Sequence, residues 1–217
     1  MFADHDPAVN YSVVLLRHGQ SVGNAAGYYQ GQADFPLNDT GIEQARALGQ
    51  RWKKEGRRFD RIISSPLTRA RQTAEIVATA VDSPLDLEPD WMERNNGLLA
   101  GLKPEVAAER YPRPAFLHLY HPIGETGESQ WELYLRAGRA VNGVLRRPPG
   151  SYLVVSHGGI LNLVMYVILG ITPQPNLHGP RFRFRNTSFA VLTYLPGQHI
   201  WRLETINDRL HWKPDEA

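Results

Sequence analysis

The chain of 217 residues contains no cysteine. Disulfides, thiolate metal sites and a thiolate nucleophile are therefore excluded, while the redox compartment stays open. Lysine is scarce as well: of the 24 basic residues only four are Lys, at positions 53, 54, 103 and 213, and the rest are Arg. Neither sign of charge dominates, because 22 acidic residues leave a formal net charge of +2. A bulk field aimed at nucleic acid is missing. Long hydrophobic runs are also missing. The most apolar stretch, Ile160 to Leu169, is too short to span a bilayer and contains Asn162. Met1-Phe2-Ala3-Asp4-His5-Asp6-Pro7 has neither the basic nor the apolar region of a signal peptide, so the cytoplasm is the expected compartment. Repeats, low-complexity tracts and linkers are not evident. A hydrophobic content of 42 % over this length suits one domain, 1–217, with a full-sized core.

What is present gathers at the ends of apolar runs. Ser12-Val13-Val14-Leu15-Leu16 reads as a buried parallel strand, followed by Arg17-His18-Gly19-Gln20-Ser21-Val22-Gly23-Asn24. An α/β sheet places ligands outside the carboxyl ends of its strands. Arg17 offers a planar fork of donors suited to phosphate oxygens. His18 can act as nucleophile or base near neutral pH. Gly19 lets backbone N–H groups approach an anion, and Asn24 adds a neutral donor. By itself this stretch is equally a strand end with an exposed Arg and a satisfied His. The chain repeats the device, however. Ser151 to Ser156 is a second apolar run and ends in His157-Gly158-Gly159. If the two strands were neighbours about 4.8 Å apart, both imidazoles would reach one point above the sheet. A third run, Arg61 to Ser64, leads into Ser65-Pro66-Leu67-Thr68-Arg69-Ala70-Arg71-Gln72-Thr73-Ala74. Three strand ends would then deliver His18, His157, Arg17 and Arg69 to one pocket.

The segments between are read by pattern. The loop from Gly19 to Asp39, with Tyr28-Tyr29-Gln30-Gly31-Gln32 near its middle, has a length usual for functional loops. Thr40 to Glu43 reads as a capping box with Thr40 as the cap, opening a helix that buries Ile42, Ala45, Leu48 and Trp52. Ser65 reads as an N-cap and Pro66 as the first helical residue of a helix burying Leu67, Ala70, Ala74, Val77 and Val81. Ser129-x-x-Glu132 is a second capping box. Its helix, to about Arg147, is expected to turn Trp131, Tyr134 or Leu135, Gly138, Val141 and Leu145 inward. Gly158 to Leu169 is an apolar helix stopped at Gly170. Arg181-Phe182-Arg183-Phe184-Arg185 alternates strictly and reads as a strand or its approach. Its basic face is expected in solvent, with a second anionic group of a substrate as the other option. Leu85 to Leu87, Asn186 to Leu195 and Ile200 to Ile206 read as further strands.

Three blocks in this order resemble the histidine phosphatase superfamily: Arg17-His18-Gly19 with Ser21 and Asn24, Ser65-Pro66-Leu67 through Ala74, and Ser156-His157-Gly158-Gly159. More narrowly, they are similar to the branch holding phosphoglycerate mutases and small-molecule phosphatases. The likeness runs from about Val13 to about Leu195. It implies an α/β fold, a three-layer α/β/α sandwich around a mostly parallel sheet of about six strands. It also implies an insertion, about 98–127, folded over the active site, so that Phe116, His118, Tyr120 and His121 would line a substrate pocket. The resemblance makes His18 the nucleophile that becomes a phosphohistidine and Glu93 the acid/base. Arg17, Arg69 and His157 stabilise charge, and Asn24, Ser21, Gln30, Gly31 and Gly158 contact substrate. Without the resemblance, Glu93 is one acid among 22. No metal or other cofactor is expected, since phosphoryl transfer asks for positioning and positive charge that these side chains can supply. The expected partner is a small phosphorylated substrate, with neither nucleic acid nor membrane; a homodimer is left open.

The expected activity is that of a metal-independent phosphomonoesterase. The first alternative is a cofactor-dependent phosphoglycerate mutase, and the second a non-catalytic phospholigand-binding module. Mutases of this family usually carry Glu after Arg-His-Gly, where this chain has Gln20. They usually carry Tyr three residues after the acid/base Glu, where it has Asn96. They also bring an Arg pair from the insertion, where only the separated Arg110 and Arg113 are found. Gly31 to Leu37 instead resembles the loop of the phosphatase members.

Overall fold

The computed structural model describes residues 10–212; the sequence suggests a frayed entry over 1–11, of which 1–9 lie outside the described residues, whereas Tyr11 is buried and already opens the first strand. Six strands are present: β1 (Tyr11–Arg17), β2 (Arg61–Ser64), β3 (Leu85–Leu87), β4 (Ser151–Ser156), β5 (Phe189–Leu195) and β6 (Ile200–Asp208). The helices are α1 (Val22–Ala25), α2 (Asp39–Lys54), α3 (Thr68–Val81), α4 (Pro104–Arg110), α5 (Gln130–Leu145) and α6 (Gly158–Leu169). One sheet holds all six strands in the order β3-β2-β4-β1-β5-β6. The first four run parallel, and β5 and β6 are antiparallel additions at one edge.

The central strands are apolar on both faces because helices cover both faces. Val13 and Leu15 of β1 join a cluster with Leu133 and Ala137 of α5 and Ile160 and Val164 of α6. Val14 and Leu16 point the other way, into a cluster with Leu48 and Trp52 of α2 and Ala74 and Val77 of α3. This period-2 division makes three layers, as expected.

Register does the work that matters for a site. β1 and β4 are direct neighbours, with Arg17 opposite Ser156, and the N–H of His18 donates to the carbonyl of Ser156 at 3.0 Å. On the other side of β4, Ser64 of β2 stands opposite Val155. The carboxyl ends of β2, β4 and β1 therefore lie side by side.

Several local expectations are corrected. Helix α2 is capped by Asn38, not Thr40. Asn38 has an extended backbone, and its Oδ1 accepts the N–H of Gly41 at 2.9 Å while its Nδ2 donates to Oε1 of Gln20 at 2.8 Å. The start of α2 is thereby tied to the loop after β1, so closely that a Cβ on Gly41 would overlap the carbonyl oxygen of Gln20. Helix α3 begins at Thr68 rather than Pro66, and Leu67 at its cap makes no side-chain bond. Asp34 caps it from a distant loop, accepting the Thr68 N–H at 2.7 Å and the Thr68 hydroxyl at 2.6 Å. Helix α5 keeps its Ser129–Glu132 box and, as expected, turns Val141 into the core with Tyr134 and Leu145 packed against it, but its buried face is centred on Leu133, Ala137, Ala140 and Val144, and Leu135 is exposed. Arg136 explains the rotation. It lies inward because Glu128 takes both its Nε, at 2.7 Å, and its Nη2, at 2.6 Å. Residues 181–185, read as a strand or its approach, are the approach to β5 and form no strand themselves. The chain there is pinned by Asn162 and Tyr166 of α6, which bond to the Phe182 N–H (2.8 Å) and the Pro180 carbonyl (2.7 Å).

Candidate active site

His18 is 2 % exposed at the end of β1. Its Nδ1 lies 2.6 Å from the carbonyl oxygen of Gly19. A carbonyl can only accept, so Nδ1 carries the proton, and Nε2 of the neutral ring keeps its lone pair. Burial, and then the positive charges of Arg17 and Arg69, push the pKa of His18 well below the ordinary value. His157 follows β4, fully buried, with its ring centroid 5.0 Å from that of His18. Its pKa is also held well below the ordinary value, by burial first and then by Arg69, His18 and Arg17. The Nε2 of His157 sits 2.8 Å from the Ser65 hydroxyl. This is the work of the side chain read above as a helix cap.

Two guanidiniums flank the imidazoles. Arg17 donates from Nη1 to the carbonyl of Phe184 at 2.8 Å. Arg69, on α3 and 1 % exposed, donates to the carbonyls of Gly31 (2.6 Å) and Ala33 (3.0 Å). Burial lowers its pKa to about 10, opposed by Glu93 and Asp34. The buried Nε atoms of Arg17 and Arg69 and the Nδ1 of His157 have no protein partner. Unpaired buried groups of this kind cost roughly 1–3 kcal/mol each, and those of Arg17 and Arg69 belong to residues that line the cavity described below.

Glu93 reaches the same place from the segment after β3. Its Oε1 accepts the N–H groups of Arg94 (2.8 Å) and Ile160 (3.0 Å), and its Oε2 accepts that of Gly159 (2.9 Å). The carboxylate thus sits on the N-terminus of α6, where the helix dipole favours it. A carboxylate offers about four acceptor positions, and three are filled here, two on Oε1 and one on Oε2. Oε2 therefore keeps the remaining position. The Glu93 backbone is itself held, because its carbonyl accepts Gln32 Nε2 at 3.0 Å and Arg136 Nη2 at 3.1 Å.

These groups line one cavity of about 690 Å³. Arg17, His18, Gln30, Gly31, Arg69, Glu93 and Gly158 are in its wall, whereas Ser21, Asn24 and the buried His157 are not. Ser21 and Asn24 instead form a reciprocal capping box on the short α1, and the Ser21 hydroxyl donates to Oε1 of Gln30 at 2.6 Å. The segment 98–127 contributes nothing to this wall; with Leu99, Tyr111 and Leu117 it lines a neighbouring cavity of about 360 Å³. Phe116 and Tyr120 point to solvent, 60 % and 64 % exposed. His121 belongs to the neighbouring cavity, and His118 lines neither. Further wall comes from Arg94, Asn96, Leu177 and above all Arg181 to Phe184, so that of the two options for the basic face of 181–185 the structure sets Arg181 and Arg183 beside the cavity. Its signal was the Arg/Phe alternation, but nothing in the pattern told which cavity it would border. Among the described residues no group of three His, Asp or Glu could hold a metal ion, and no helix is long and apolar enough to cross a membrane.

Comparison with known proteins points the same way as the geometry. The family model of the histidine phosphatase superfamily (branch 1) matches residues 13–209. A curated relative from Yersinia pestis (strain Pestoides F), "Probable phosphoglycerate mutase GpmB", is 35 % identical over 208 residues, covering 92 % of this chain and 94 % of that protein. A solved structure from Escherichia coli K-12, described as a "putative alpha-ribazole-5'-P phosphatase", superposes with a TM-score of 0.79 at 25 % identity, over 92 % of this chain and 97 % of that one. A phosphoglycerate mutase from Bacillus anthracis shares the fold, with a TM-score of 0.70 at 19 % identity over 94 % and 95 % of the two chains.

Proposed function

The chain belongs to the histidine phosphatase superfamily, and from that premise we propose that it is a metal-independent phosphomonoesterase working through a phosphohistidine on His18. The observation that carries the proposal is the bond from His18 Nδ1–H to the Gly19 carbonyl. It leaves the Nε2 lone pair as the nucleophile, between two guanidiniums. Nε2 attacks phosphorus, the P–N bond forms, and the P–O bond to the leaving group breaks. Arg17, Arg69 and the ring of His157 meet the charge on the equatorial oxygens. Glu93, entering this step in its protonated form, delivers its proton to the departing oxygen through Oε2 and becomes the carboxylate. It then takes a proton from the water that attacks the phosphohistidine, and inorganic phosphate and neutral His18 are released.

Hydrolysis is favoured over isomerisation by the wall of the cavity. No Arg pair from 98–127 reaches it: Arg113 donates to the carbonyl of Asn176 instead. The volume of about 690 Å³ leaves room for water beside a phosphorylated His18. The mutase reading keeps two observations in its favour: the 35 % identical relative is named a probable phosphoglycerate mutase, and the cations Arg94, Arg181 and Arg183 could hold a glycerate carboxylate. Incubation with 3-phosphoglycerate, with and without 2,3-bisphosphoglycerate, separates the two. Formation of 2-phosphoglycerate faster than phosphate release from any monoester would defeat the hydrolytic reading. Alkaline quenching during turnover of p-nitrophenyl phosphate should trap acid-labile phosphate on His18. No turnover of any monoester would leave a binding module.

A further inference from the structure

Five guanidiniums line the larger cavity, those of Arg17, Arg69, Arg94, Arg181 and Arg183, against a single carboxylate, Glu93. Their formal sum is +4. A phosphomonoester dianion beside His18 brings two negative charges and leaves about two positive charges unbalanced. Among the described residues Arg94, Arg181 and Arg183 have no carboxylate in an ion pair, and the guanidiniums of Arg181 and Arg183 make no hydrogen bond. Arg94 is held by Oε1 of Gln130 at 2.6 Å, and its buried Nε has no partner. Like charges crowd here. Burial chiefly lowers the pKa of both Arg94 and Arg17; Glu93 opposes it at both and Glu128 at Arg94, while Arg136 and Arg181 add to it at Arg94 and Arg183 at Arg17.

The strip that carries Arg181 and Arg183 is fixed although it is not a strand. Asn162 and Tyr166 hold it on α6, and Arg17 holds the Phe184 carbonyl. Phe184 is buried in the core and Phe182 packs against it, edge-on to Tyr166 with centroids 6.2 Å apart. Alternation then turns Arg181 and Arg183 to the accessible side. Tyr28, Tyr29, Phe182 and Leu177 add apolar and aromatic surface to this wall, beside the polar Gln30, Asn96, Gln130 and Asn162.

We infer that Arg94, Arg181 and Arg183 form a second anion subsite, and that the preferred substrates are phosphomonoesters whose leaving group joins a flat apolar body to a second anionic group. The inference rests on the hydrolytic reading for the word substrate, but the subsite itself is tested by binding alone. Both a carboxylate and a second phosphoryl group fit a cluster of guanidiniums, Arg being matched to either by its planar fork.

The test uses inert phosphonates on the wild-type protein, by titration calorimetry. Benzylphosphonate is compared with 4-carboxybenzylphosphonate and with p-xylylenediphosphonate, which differ from it only in the added anion. At least one of the two doubly anionic ligands should bind about tenfold tighter or better, the usual worth of a charge-assisted contact. In Arg181→Gln/Arg183→Gln the advantage should shrink to about twofold, and in Arg181→Lys/Arg183→Lys much of it should return. Since neither guanidinium bonds to the protein, the variants should keep the wild-type melting temperature. Which ligand gains more distinguishes carboxylate from phosphoryl. Equal affinities for all three ligands, or an advantage untouched by the double Gln substitution, would overturn the subsite. Tight discrimination by a protein that hydrolyses no monoester would overturn the phosphatase reading and leave the subsite standing.

Discussion

Gly159→Ala should inactivate the protein without unfolding it. Gly159 is the second residue of α6, and its N–H donates to Oε2 of Glu93 at 2.9 Å. A Cβ built there would overlap Oε1 of Glu93, with Cδ at 3.1 Å and Oε2 at 3.3 Å. The carboxylate is no free end that can swing aside, because three N–H groups and the bonds to its own carbonyl hold it. Relief therefore means moving Glu93 off the N-terminus of α6, by a distance on the order of 1 Å. Misplacing a catalytic group by that much costs about 10²-fold, and losing the general acid altogether about 10²–10⁴-fold. The fold should survive, since Ala is the better helix former by up to about 1 kcal/mol, which offsets part of the loss of the two N–H bonds from Gly159 and Ile160. Gly158 supplies the contrast: its added Cβ would meet nothing nearer than Nε of Arg17 at 3.7 Å, an ordinary contact. The assay is kcat/KM for aryl phosphates with good and poor leaving groups, together with the melting temperature. Gly159→Ala should lose most with poor leaving groups, and Gly158→Ala at least tenfold less. Wild-type rates for Gly159→Ala across the series would refute the role assigned to Glu93.

Stability should decline as the pH falls below about 6.5, because His18 and His157 stay neutral in the folded protein, while in the unfolded chain they bind protons. Each approaches a slope of about 1.4 kcal/mol per pH unit. Urea unfolding at pH 7.5, 6.5 and 5.5 measures it, and a flat profile would contradict their burial. Over the same range kcat/KM should show no loss attributable to protonation of His18; a limb at the ordinary imidazole pKa would argue against a depressed nucleophile. Exhaustive dialysis against EDTA should leave turnover unchanged, because guanidiniums supply the charge that a metal supplies elsewhere; restoration of a chelated, inactive sample by Mg²⁺ or Zn²⁺ would refute this. Asp34→Ala removes the cap of α3 and should cost about 1 kcal/mol, read as a lower urea midpoint, whereas Asp34→Asn should retain part of it through the remaining oxygen acceptor.

The sequence by itself determined the frame of this protein. Apolar runs ending in Arg17-His18, Ser64-Ser65 and Ser156-His157 need helices on both faces, and a parallel sheet with ligands at its carboxyl ends is the architecture that supplies them. The apolar alternation along β1 and the Ser129–Glu132 box are local properties, so they could be read locally. Partner choice was not local. Ser65 and Thr40 sit where caps belong by pattern, yet Ser65 faces His157 and the helix caps come from Asn38 and Asp34. Helix α5 is rotated because Arg136 finds Glu128 and three carbonyls inside. Glu93 stood out from 22 acids only by resemblance, and what gives it chemistry is the N-terminus of a helix 66 residues further on. The Arg181–Arg185 alternation correctly announced one basic and one aromatic face. That the basic face borders the cavity of His18, and that no carboxylate meets it, follows only from the way α6 pins the strip. Hydrogen bonds and charges act over a few ångströms of space and not of sequence, which is why tertiary structure alone could decide them.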